Sequence, residues 1–113
     1  MPDEPELEVP DGAAVFPLIP EELHVHPLLL AVLHAVVFLD GSSDDVVHPA
    51  AASEALEYLA TYLQRLRGPE RRRVQEDMDC LVAYARQERW PKSAVRFLQT
   101  FLADFGVPGD DQA

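Results

Sequence analysis

The sequence predicts an all-α protein, a compact four-helix domain with an extended, Pro-rich acidic N-terminal segment. Three observations carry that reading. Prolines stand at the starts of four long stretches, where a missing N–H is least costly to a helix. Apolar residues within those stretches recur at helical spacing. Sustained apolar–polar alternation bounded by strand-type turns is not found. At 113 residues, with 48% hydrophobic and 26% charged residues, the composition is globular and the length suits one core.

Residues 1–22 contain Pro2, Pro5, Pro10, Pro17 and Pro20. Each removes a backbone donor and disfavours helix at the residue before it, so this segment is expected to be extended. Val15, Phe16, Leu18 and Ile19 are apolar enough to lie against the body. Residues 23–108 are expected to form the single helical domain, and 109–113 a flexible tail.

The first helix opens at Pro27 in "PLLLAVLHAVVFL" and closes at Gly41. It is apolar on every side, as a helix surrounded by others would be. The second opens at Pro49 and closes at Gly68, with Ala52, Leu56, Leu59, Ala60, Leu63 and Leu66 on one face. The third runs from Pro69 to Pro91 and aligns Val74, Met78, Leu81, Val82 and Ala85. The fourth runs from Pro91 to Gly106 and aligns Val95, Leu98, Phe101, Leu102 and Phe105. Gly41, Gly68 and Gly106 fit the left-handed position just past a helix end. Short connections favour antiparallel neighbours. The first two helices share the start Val-His-Pro, at His26 and His48, which reads as two similar helix starts rather than a repeat.

Charge and composition narrow the function. The formal net charge is −11, and residues 1–23 hold seven acids with no Lys or Arg. That balance opposes nucleic-acid binding, which needs a basic face to neutralise phosphate. The longest apolar run, Leu28–Leu39, is interrupted by His34 and is shorter than the roughly 20 residues a bilayer span needs. No signal-like N-terminus precedes it. A single cysteine, Cys80, allows no internal disulfide. A cytoplasmic protein with no membrane partner is the expectation. The absence of Asn and the presence of one Lys against eight Arg suggest a GC-rich bacterial genome.

The histidines raise the question of metal. His24-x-His26 would place both imidazoles on one side of an extended segment. Glu21 or Glu22 and His48 would be the further ligands of such a metal-binding or hydrolytic site. No HExxH and no cysteine pair accompany them, so two histidines preceding a helix is the plainer reading. His34 sits inside the first helix and is expected to hydrogen-bond a tyrosine hydroxyl or a carbonyl. Cys80 lies among Glu76, Asp77 and Asp79, which oppose thiolate formation. The serines lack a nucleophile-elbow context, and the five glycines form no phosphate loop. Neither a catalytic constellation nor a cofactor is therefore expected.

The body of the chain is patterned in charge. Asp40, Asp44, Asp45, Glu54 and Glu57 form an acidic stretch without a single Lys or Arg. A basic knot, "RLRGPERRR", follows from Arg65 to Arg73. Tyr58 and Tyr62 lie one turn apart on the second helix, and Trp90 stands at a helix–helix corner. Helix-end chemistry accounts for some of these charges. Steering toward an oppositely charged partner accounts for the same pattern. The leading expectation is a small acidic, non-enzymatic protein that binds a basic protein through Asp40, Asp44, Asp45, Glu54, Glu57, Tyr58 and Tyr62. An immunity protein or antitoxin-like inhibitor of a basic toxin has these properties. A homo-oligomeric accessory subunit, associating through the amphipathic fourth helix, is the further alternative.

Overall fold

A computed structural model describes residues 11–108; the expectations for residues 1–10 and for the tail from 109 lie outside the described residues. Among the described residues a 3-10 turn, Glu21–Leu23, precedes four helices: α1 Pro27–Gly41, α2 Pro49–Leu63, α3 Gly68–Gln87 and α4 Lys92–Asp104. No strand occurs among the described residues. α1 and α2 start on Pro27 and Pro49 as expected, whereas α3 starts at Gly68, one residue before Pro69, and α4 at Lys92, one residue after Pro91, which is its N-cap.

The two Val-His-Pro starts have one cause. His26 Nδ1 accepts the Leu28 N–H at 3.1 Å, and His48 Nδ1 accepts the Ala50 N–H at 3.1 Å. Each imidazole thus satisfies one of the donors that a helix leaves without an intrahelical acceptor.

The helix ends follow a second rule. α4 closes with Gly106 at φ 80°, its N–H bonded to the Ala103 carbonyl and the Val107 N–H to the Leu102 carbonyl. α3 closes with the same pair of bonds, Arg89 to Arg86 and Trp90 to Ala85, but with Arg89 at φ 60° in the left-handed position. Gly68 departs from expectation: α2 ends at Leu63 with Gln64 after it, and Gly68, at φ 51°, is the first residue of α3. Gly41 departs as well: it is the last residue of α1 and Ser42 is the extended residue after it. Its missing Cβ matters through space instead, because a Cβ there would meet that of Ala14 at 2.9 Å.

The helices run alternately up and down. The first half of α1 meets the end of α2 and the start of α3 around Leu29, Leu63 and Val74. The end of α1 meets the α3–α4 corner around Val37, Trp90 and Ala94. Gln64, just after α2, donates to the Phe105 carbonyl at the end of α4 at 2.9 Å. The core lies between α1, α3 and α4, where Leu33, Val36, Met78, Leu81, Leu98 and Phe101 are almost wholly buried. Each such side chain contributes roughly 1.5–3 kcal/mol relative to exposure. The N-terminal segment joins this core: Phe16 and Ile19 are buried while Val15 and Leu18 face solvent.

Two further expectations are corrected. α1 is not surrounded: it buries Leu29, Leu33 and Val36 but leaves Leu28 71% and Phe38 41% exposed. A small bundle covers only one side of each helix, and an apolar residue on the other side is tolerated. His34 has no side-chain hydrogen bond among the described residues. Its ring packs edge-on against Phe16, with centroids 5.1 Å apart.

Candidate functional site

α2 supplies the candidate surface. Its inner face carries Leu56, Leu59 and Leu63 against the core, yet only Ala52 is fully buried. The opposite face is open. Glu54, Glu57 and Thr61 are exposed there, and Tyr58 and Tyr62 are 59% and 60% exposed. Spacings of four residues put Glu54, Tyr58 and Tyr62 in one row along the helix. Arg65 ends the row, with Cζ 4.8 Å from the centroid of the Tyr62 ring. That contact turns an arginine of the basic knot inward onto the aromatic row.

The remaining acids surround the start of this helix. Asp40 lies in the last turn of α1, and Asp44 and Asp45 lie in the turn leading to α2; all three are exposed. Asp40 also borders an apolar hollow of about 430 Å³, whose aromatic walls are Phe16, Trp90 and Phe97. None of the five acids is paired with a cation among the described residues; the salt bridge formed there is Arg73–Asp77. Carboxylates without counter-charges project a negative potential. Tyrosines combine apolar area with a hydroxyl at low entropic cost, as contact residues do.

The histidines are not brought together. His24 follows the 3-10 turn in the left-handed region at φ 59°, and its carbonyl accepts from Arg73 Nη2 at 3.1 Å. His26 caps α1 and His48 caps α2. Because α1 and α2 run antiparallel, those caps stand at opposite ends of α1, about 20 Å apart by helical rise. Among the described residues no group of three or more His, Cys, Asp or Glu is placed to hold a metal ion. The idea that His48 approaches His24 and His26 is therefore overturned. Cys80 is partly buried in α3, with Sγ 3.9 Å from the Leu23 carbonyl oxygen.

The fourth helix is not available as an oligomer interface through its apolar face. Leu98, Phe101 and Leu102 on that face are buried within the chain itself. Among the described residues no helix is long and apolar enough to cross a membrane.

Sequence reasoning missed one polar cluster. Asp77 is 6% exposed; its carboxylate accepts the His26 backbone N–H at 3.1 Å and the Arg73 Nε–H at 3.0 Å. With the Arg73 bond to His24, it fastens α3 to the start of α1. The four-residue spacing of Arg73 and Asp77 was the available signal. Their tertiary target, some fifty residues earlier, left no local trace. Comparison with protein-family models, with curated proteins and with solved structures finds no match, so function must be argued from the surface itself.

Proposed function

We propose that this chain is a non-enzymatic binding protein whose outer α2 face and neighbouring acids engage the basic surface of another protein. The observation that carries the reading is the pair Tyr58 and Tyr62. Both are about three-fifths exposed, one turn apart, on a helix that buries little of itself. The five exposed acids, Asp40, Asp44, Asp45, Glu54 and Glu57, give the partner's charge its sign. They accelerate encounter over about a Debye length, roughly 8 Å at physiological salt. The tyrosines then prolong the contact by excluding water at its centre. Stoichiometric inhibition of a basic toxin, as by an immunity protein or antitoxin, is the biological form this surface suits best.

Photocrosslinking in the native cell tests the reading. A photoreactive residue at position 58 or 62 is expected to form one discrete adduct with a basic protein, and one at Leu18, away from α2, is not. Exchanging Glu54 and Glu57 for lysine is expected to slow association with that protein about tenfold at low salt. Absence of any discrete adduct at both tyrosine positions, or an acidic partner indifferent to the lysine exchange, overturns the proposal.

A further inference from the structure

The corner between α3 and α4 holds a second feature, of opposite sign. A hollow of about 490 Å³ opens there, walled by Arg86, Lys92, Arg96, Trp90, Ser93 and Gln99, and no carboxylate lines it. Three of the nine basic residues of a chain with net charge −11 thus gather at one concavity.

Lack of a partner is not peculiar to these three, since Arg71, Arg72 and Arg89 also make no side-chain hydrogen bond or ion pair among the described residues; the remaining cations are engaged within the chain. In the basic knot, Arg67 donates to the Gln64 and Leu66 carbonyls, Arg73 holds Asp77 and His24, and Arg65 covers Tyr62. The side chains of Arg86, Lys92 and Arg96 make no hydrogen bond or ion pair among the described residues; what sets them apart is that they share one hollow. Arg86 lies in the last turn of α3, where the helix dipole favours a cation. Lys92 and Arg96 are different: they stand in the first two turns of α4, at the end where the dipole disfavours positive charge. Local helix chemistry therefore does not explain them, and mutual repulsion across the hollow opposes their grouping. An anion placed among them removes both penalties. Two guanidinium groups and an ammonium can satisfy the oxygens of a phosphate dianion. Trp90 adds an aromatic wall beside them, against which a flat ring can pack. Ser93 and Gln99 supply neutral polar contacts.

We infer that this hollow is a binding site for a small organic phosphate, its phosphate held by Arg86, Lys92 and Arg96 and its planar ring lying against Trp90. The site lies at the α3–α4 corner, apart from the α2 surface, and does not depend on it. Trp90, the chain's single tryptophan, lines both this hollow and the apolar one beside Asp40, so its emission reports binding and the Arg96 variant assigns the binding to this hollow. The full chain is titrated with adenosine monophosphate, adenosine and inorganic phosphate, followed by Trp90 fluorescence and by calorimetry.

Saturable binding of adenosine monophosphate is expected. Adenosine and inorganic phosphate, each lacking one half of the ligand, are expected to bind at least about tenfold more weakly. Arg96→Ala is expected to weaken the nucleotide about tenfold, whereas Arg72→Ala, on the basic knot, leaves it unchanged; circular dichroism confirms that both variants are helical. Failure to saturate at millimolar nucleotide overturns the inference. So does adenosine or phosphate binding as tightly as the nucleotide, or equal loss in the Arg72 variant.

Discussion

α2 and α4 are amphipathic helices of 15 and 13 residues in the same bundle, and they put their apolar faces to different use. α4 drives Leu98, Phe101 and Leu102 into the centre, where the Phe101 ring packs with Phe97 at 5.8 Å and Phe105 at 4.9 Å. α2 lays three half-buried leucines over the outside of that core and fully buries a single alanine. The difference follows from position: α4 sits against α3 with Val107 closing its end, whereas α2 packs chiefly on α1. A helix that only covers the core keeps most of its circumference in water. Its outer residues are then free of packing demands, and in α2 those residues are tyrosines and acids.

Truncation is the most direct way to break this contrast. Phe101→Ala on α4 is expected to cost about 3–5 kcal/mol, the range for emptying a well-packed aromatic site. Tyr58→Ala and Tyr62→Ala on α2 are expected to change stability by no more than about 0.5 kcal/mol each, as exposed positions do. Urea denaturation of the three variants measures both limbs. A loss of several kcal/mol at either tyrosine would mean that the outer face of α2 belongs to the core, and the proposed binding surface would disappear with it.

The sequence made the inward side of α4 legible because Leu98, Phe101 and Leu102 keep strict helical spacing. It made the helix starts legible because Pro27 and Pro49 follow histidines whose rings then act as caps. α1 was misread because its run has no polar side to mark which face turns outward; exposure of Leu28 is decided by neighbours, not by pattern. The exposed acids and tyrosines were readable as residues, but only the packing of α2 shows that its tyrosines point away from the core. The cation-lined hollow was not readable, since Arg86 belongs to one helix and Lys92 and Arg96 to the next, beyond the corner.

Asp77 sharpens the comparison from the other side. It is a polar residue fully enlisted in packing, whereas the acids around α2 have no partner among the described residues. Asp77→Ala removes the acceptor of the His26 N–H and the partner of Arg73, and is expected to cost about 2–3 kcal/mol, the scale of hydrogen bonds to a charged group. Asp44→Ala, an exposed acid, is expected to stay within about 0.5 kcal/mol. Thermal denaturation of the pair decides whether burial, rather than charge, separates the structural acids from those available to a partner. Equal melting temperatures for the two variants would refute that division.

The smallest expected effect concerns two helix ends of identical design. α4 and α3 close with the same pair of backbone bonds, yet the left-handed residue is Gly106 in one and Arg89 in the other. At Gly106 a side chain would also collide, because a Cβ would lie 2.6 Å from Gln64 Nε2. Arg89 is exposed, and its own Cβ strains the left-handed conformation. Arg89→Gly relieves that strain but increases the freedom of the unfolded chain. The strain is the larger quantity, so the variant is expected to gain about 0.5–1 kcal/mol and to melt a few degrees higher. A lower melting temperature would show that the Arg89 side chain makes a stabilising contact that outweighs its backbone strain. α3 would then end on a tertiary interaction and not on the backbone motif it shares with α4.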